Sequence, residues 1–136
     1  MVITDPRRDD NPIVFANKAF QDLTGYERDE IIGQNCRFLQ GPDSDRDAVA
    51  KIRDALQAGT DIHIDLLNYR KDGSAFWNEL SITPVVNDAD QLTYYIGIQK
   101  NVTEQVEAQE RVKQLEAELA DLKAELARLQ ATTGSN

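Results

Sequence analysis

A chain of 136 residues, 40% of them hydrophobic, has room for one core of ordinary size, about 100 residues, and a tail. Its net charge of -9 repels phosphate backbones, which excludes direct nucleic-acid binding as an expected role. No apolar run reaches the roughly 20 residues of a bilayer span, "MVITDPRRDD" holds no apolar leader core, and the single cysteine cannot form an internal disulfide, so the expectation is a cytoplasmic protein of a reducing compartment, away from membranes.

In chain order, "VIT" and "PIVFA" read as short strands, separated by a loop rich in Asp, Pro and Asn. Arg7 and Arg8 in that loop, like Arg70 and Lys71 later, form clusters too short for a nucleic-acid patch and read as solvated. "NKAFQDLTG" is a short helix closed by Gly25, and "ERDEIIG" another closed by Gly33. "GQNCRFLQG" follows, with Cys36 at the start of a further short helix. "SDRDAVAKIRDALQAGT" is the strongest helix of the region: Ser44 is the expected N-cap, Val49, Ile52 and Leu56 form an apolar face, and Gly59 ends it.

From residue 60 the period changes to two. "DIHIDLLNYRKDGSAFWNELSITPVV" reads as two strands joined at "KDG", and "QLTYYIGIQKNV" as a third, rich in β-branched and aromatic residues. Strands, then short helices, then strands again predict an α+β domain over 1–102: a five-stranded antiparallel sheet with short helices on one face. Residues 103–130, without Gly, Pro or aromatics, predict a C-terminal helix, and 131–136 a frayed, disordered end.

A lone cysteine is ordinarily a small buried hydrophobe. Here its neighbours are unusual. The start of a helix favours anions, Arg37 can bind phosphate as a planar fork, and Arg53 lies at the edge of the next helix's apolar face. Two arginines at such a place point to a phosphate-bearing ligand; the alternative is that Arg53 is simply solvated. Asn68, Asn78 and Gln99 fall one on each late strand, where Asn is disfavoured. Amides offer both donor and acceptor, so these three suit the edge of a flat heterocycle against the sheet; the alternative is an outer, solvated face. His63, alone on a strand, reads as structural, and no metal site is expected.

"GQNCRFLQG", together with "VITDPR", "NPIVFANKAFQDLTGY", "GPDSDRDAVAKIRDAL", "NYRKDGSAFWNEL" and "YYIGIQKNVTE", resembles the LOV (light-oxygen-voltage) domains, the flavin-binding branch of the PAS fold. The blocks occur in the family's order over nearly all of residues 2–104. The resemblance implies a noncovalently bound flavin mononucleotide (FMN) with Cys36 as the photoactive thiol beneath it. Arg37 and Arg53 would hold the phosphate, with Gln40 along the ribityl–phosphate region. Asn35 and Asn11 would hold ribityl hydroxyls, Asn68 and Asn78 would pair with the pyrimidine edge, and Gln99 would face flavin N5 and O4. Val2, Thr4, Ile13, Leu39, Val49, Ile52, Leu56, Leu80, Ile82, Tyr95 and Gly97 would line the pocket. Relatives that take FAD carry an insertion before the arginine-bearing helix; here Gln40 runs straight through "GPDSD" into it, which implies FMN.

In LOV-like proteins, blue light populates the flavin triplet and the nearby sulfur adds to flavin C4a. Flavin N5 is then protonated, and a residue placed like Gln99 answers by rotating its amide, exchanging O for N. The adduct decays in the dark, so no substrate is consumed and no enzyme is expected. Two features depart from the family. Tyr95 stands where many relatives have Phe, adding a hydroxyl that needs a partner. A helical cap usually precedes the first strand, whereas this sequence opens at Met1-Val2.

In the tail, Val112, Leu119 and Leu126 fall at heptad position a, and Leu115, Leu122 and Leu129 at d. A parallel homodimer would pair Arg111 with Glu116 and Glu118 with Lys123 across the seam. The register of Val102 and Val106 does not continue it, which suggests a joint near Ala108. The expected function is a blue-light sensory module signalling through this helix to an effector outside the chain. A PAS dimerisation or ligand-sensing module without photochemistry is the alternative. A flavin oxidoreductase with Cys36 as redox thiol is disfavoured, because the sequence has neither a second cysteine nor G-x-G-x-x-G.

Overall fold

The computed structural model describes residues 1–134, with side chains to residue 132. Strands β1 (Val2–Thr4) and β2 (Ile13–Ala16) lead into helices α1 (Lys18–Thr24) and α2 (Arg28–Ile31), a 3₁₀ turn at Cys36–Leu39, and helix α3 (Arg46–Ala58). Strands β3 (Ile62–Tyr69), β4 (Ala75–Val86) and β5 (Leu92–Asn101) follow, and then helix α4 (Thr103–Gly134). The chain divides into two compact units at Val102/Thr103.

The five strands form one antiparallel sheet in the order β2-β1-β5-β4-β3, the expected α+β class. The "KDG" hairpin closes through Gly73, at φ +88°, with Arg70 N donating to Ser74 O at 2.8 Å. The central pairing joins the two ends of the domain, with Val2 opposite Gly97 and Thr4 opposite Tyr95. Because side chains alternate along a strand, this register sets the inner face. Val2 and Thr4 share it with Tyr95, Gly97 and Gln99 of β5, Asn78, Leu80 and Ile82 of β4, and Leu66 and Asn68 of β3.

Two apolar clusters lie on that face. Val2, Ile13, Ala16, Phe20, Ile31 and Leu39 form one, with Cys36 packed at its edge. Ala48, Ile52 and Leu66 form the other, joined by Val49, Leu56, Leu80 and Ile82. Helix α3 contributes its expected stripe, but its cap differs by one position. Asp45 is the N-cap, accepting from Asp47 N at 3.0 Å. Ser44 is engaged elsewhere: its hydroxyl donates to Leu67 O at 2.6 Å and accepts from Gly41 N at 3.1 Å, pinning the loop to β3.

In the second unit α4 runs unbroken through Ala108 and four residues past the expected end at 130. The end expected to fray is therefore helical over 131–134, and residues 135–136 lie outside the described residues. The six seam residues are all about half exposed, from 51% at Leu119 to 66% at Leu122. Among the described residues no helix is long and apolar enough to cross a membrane.

Candidate functional site

Between the two clusters lies a cavity of about 460 Å³, within the range of small-molecule sites. Its apolar walls are Val2, Leu39, Val49, Ile52, Leu56, Leu80, Ile82 and Gly97; Thr4, Asn11, Asn35, Cys36, Arg37, Gln40, Arg53, Asn68, Tyr95 and Gln99 supply polar atoms. Two expected lining residues stand behind the wall. Ile13 is fully buried in the first cluster, and Asn78, 1% exposed, backs Asn68. Pro6, Arg8, Asp10, Phe20, Gln57 and Leu66 line the cavity without having been expected. Phe20 and Leu66 follow an ordinary apolar pattern; Arg8 and Asp10 sit in a loop, where no periodicity marks them.

The amides are turned inward, not to solvent. Asn68 is 3% exposed, and Asn78 Nδ2 donates to Asn68 Oδ1 at 3.0 Å. Three buried amide oxygens, Asn11 Oδ1, Asn78 Oδ1 and Gln99 Oε1, have no hydrogen-bond partner. Buried polar atoms are nearly always satisfied, and Asn11 and Gln99 at the cavity wall, with Asn78 just behind it, offer acceptors that a ligand with donors could meet. A Cβ at Gly97 would meet Val2 Cγ2 at 3.1 Å and Gln99 Nε2 at 3.2 Å, so glycine gives Gln99 its room.

Cys36 opens the 3₁₀ turn, capped by Asn35, whose Oδ1 accepts from Arg37 N at 3.0 Å. Desolvation pushes the Cys36 thiol up to about 12, only partly offset by a backbone hydrogen bond. It is therefore a protonated thiol at neutral pH. Tyr95 has the partner its hydroxyl needs, donating to Leu56 O at 2.7 Å.

The other end of the cavity is charged and solvent-exposed. Arg37 grips Asp10 with its two terminal guanidinium nitrogens, one at 2.8 Å, and each side chain is more than half exposed. Asn35 Nδ2 donates to Asp10 O at 2.7 Å, tying the loop to the turn. Arg53 has only a 3.7 Å contact with its neighbour Asp54. Asp10 and Asn11 both take left-handed backbone, at φ +63° and +46°. His63 lies apart, its Nδ1 2.6 Å from Ser81 Oγ, and no metal-binding group of three His, Cys, Asp or Glu occurs among the described residues.

The cavity brings together amides with unpartnered oxygens, a half-buried, desolvated thiol and arginines, and comparison with known proteins gives the family. The PAS domain family model matches residues 1–104. The chain is 55% identical over 103 residues to a blue-light-activated histidine kinase of Brucella anthropi, covering 76% of this chain and 21% of the relative. It is 50% identical over 103 residues to a blue-light photoreceptor of Listeria monocytogenes, covering 76% and 40%. The chain thus spans well under half the length of either curated relative. A solved structure described as "Flavin Analogue Sheds Light on Light-Oxygen-Voltage Domain Mechanism" matches at 48% identity and a TM-score of 0.76, over 86% of each chain. Fold, site and relatives coincide over the same hundred residues, and the chain belongs to the PAS domain family, in its LOV branch.

Proposed function

We propose that this chain is a blue-light photoreceptor module that binds FMN and uses Cys36 as its light-reactive group. The observation that carries it is one largely apolar cavity lined by a protonated thiol and by two amides with partnerless oxygens, Asn11 and Gln99, with a third such oxygen, of Asn78, just behind the wall. Its relatives' names, blue-light photoreceptor and blue-light-activated histidine kinase, support the same reading.

A flavin ring fits the donor set. Asn68 at the wall and Asn78 behind it, held in register by their own hydrogen bond, would hold its pyrimidine edge, which carries both an N–H and carbonyls. The ribityl hydroxyls match Asn11 and Asn35; the phosphate matches Arg37, Arg53 and Gln40. When bound, a flavin supplies blue-light absorption and, once excited, a ring carbon that accepts a thiol's sulfur and returns it in the dark.

The chain's own residues do the rest. Cys36 keeps its proton on Sγ in the dark, so sulfur and proton are delivered together. The apolar walls would pack on the ring and shield it, and the 3₁₀ turn, capped by Asn35, replaces diffusion by position. Gln99 Oε1, uncommitted within the protein, is free to exchange places with Nε2 when the donor it faces changes. Gln99 lies on β5, two residues before Asn101 ends the strand and four before Thr103 begins α4. That helix carries the signal as a parallel homodimer through Val112, Leu115, Leu119, Leu122, Leu126 and Leu129, a seam left half exposed. The effector is a domain or protein outside this chain.

Purified protein should be yellow, release FMN and not FAD on denaturation, and lose its blue absorption reversibly under blue light. Cys36→Ala should keep the colour and not bleach. Colourless folded protein would leave a PAS module without photochemistry in its place.

A further inference from the structure

Consecutive arginines in the loop after β1 diverge. Arg7 turns to the outer sheet face, its guanidinium 4.7 Å from the Tyr94 ring centroid and paired with Asp5 at 3.0 Å. Arg8 lines the cavity, as do Asp10 two residues on, Arg37 and Arg53. Its backbone is fixed: Arg8 N donates to Asp5 O, and Asn11 N to Arg8 O, both at 3.2 Å. Its exposed side chain enters no ion pair among the described residues.

Charge at this end decides what it can hold. Asp10 already neutralises Arg37 through a two-point grip. Among the residues that line the cavity, Arg37, Arg53 and Asp10 sum to +1, in a chain of net charge -9; Arg8 brings the sum to +2. A phosphate monoester carries close to two negative charges at neutral pH, whereas an unphosphorylated flavin carries none. Resting on the flavin reading above, we infer that Arg8 is a third phosphate-binding cation, and that it makes this pocket select a flavin monophosphate over riboflavin. Arg8 offsets the negative charge that Asp10 brings to Arg37.

The test equilibrates the full chain, stripped of flavin, with equimolar FMN and riboflavin at low ionic strength, then extracts and quantifies the bound flavins. Arg8→Leu should lower the FMN-to-riboflavin ratio by about three- to fivefold, the scale of an exposed charge contact. Arg8→Lys should retain part of the preference, and molar salt should erase the difference between Arg8→Leu and the parent. Lys51→Gln, an equal charge change beside His63 and outside the cavity, should leave the ratio unchanged. Reversible bleaching of Arg8→Leu reports that it is folded. An unchanged ratio in Arg8→Leu, or an equal fall in Lys51→Gln, would overturn the inference and leave the photoreceptor reading standing. Failure of the parent to take either flavin would overturn both.

Discussion

At the scale of single residues, Cys36 and its surroundings define what the site can do. Enclosure raises the thiol from an ordinary 9.0 to about 12, because a thiolate there would lose its hydration without gaining a cation. The consequence for stability has a definite sign. The folded state holds this proton more tightly than the unfolded chain does, so the contribution is full below pH 9 and is lost as pH rises toward 12. The melting temperature of flavin-free protein should therefore fall more steeply above pH 9 than that of Cys36→Ala. Parallel pH profiles for the two would refute the burial of the thiol. The strand asparagines were legible in the sequence because Asn is anomalous in a strand. Their inward direction was not, since alternation alone cannot say which face is covered; only the helices above the sheet decide it. Arg8 and Asp10 were illegible for a different reason. Their direction depends on left-handed backbone at Asp10 and Asn11 and on the Arg37 grip, both tertiary matters.

At the scale of elements, the loop between the 3₁₀ turn and α3 shows how local sequence and packing divide the work. Ser44 and Asp45 are both good capping residues, and the sequence pattern, with Asp47 three residues after Ser44, points to Ser44. The structure uses Asp45 as the cap because Ser44 is taken by Leu67 O on β3. Gly41 is fixed by proximity: a Cβ there would sit 2.3 Å from two ring carbons of Tyr69. Tyr69 cannot withdraw freely, since its hydroxyl accepts from Asp43 N at 3.1 Å. Asp45→Ala should cost about 1 kcal/mol in chemical denaturation, the ordinary worth of a cap. Gly41→Ala should cost more and weaken flavin retention, because the loop it displaces leads from Gln40 to α3. An effect of Gly41→Ala no larger than that of Asp45→Ala would show that the loop yields. The α4 helix was legible in composition, but not its end. Thr132 Oγ1 donates to Arg128 O at 3.0 Å, extending the last turn past residues that read as polar and frayed.

At the scale of the whole molecule, the first unit builds its core around a cavity, and the second leaves an apolar stripe uncovered. In the proposed function a flat ligand fills the first and a second helix with the same spacing covers the second. The charges flanking the a/d seam would favour the parallel register of that proposed dimer. Leu119→Asp with Leu126→Asp should then give monomer where the parent gives dimer in light scattering, with flavin bleaching intact. A dimer that survives both substitutions would remove the coiled coil as the interface.

The central claim is that one protonated sulfur is consumed by light and restored in the dark. Because Cys36 is the only cysteine in 136 residues, the S–H stretching band in the infrared belongs to it alone. The band should be present in the dark, vanish under blue light together with the blue absorption, and return with it at the same rate. A band that persists while the flavin bleaches, or one absent in the dark, would contradict the account.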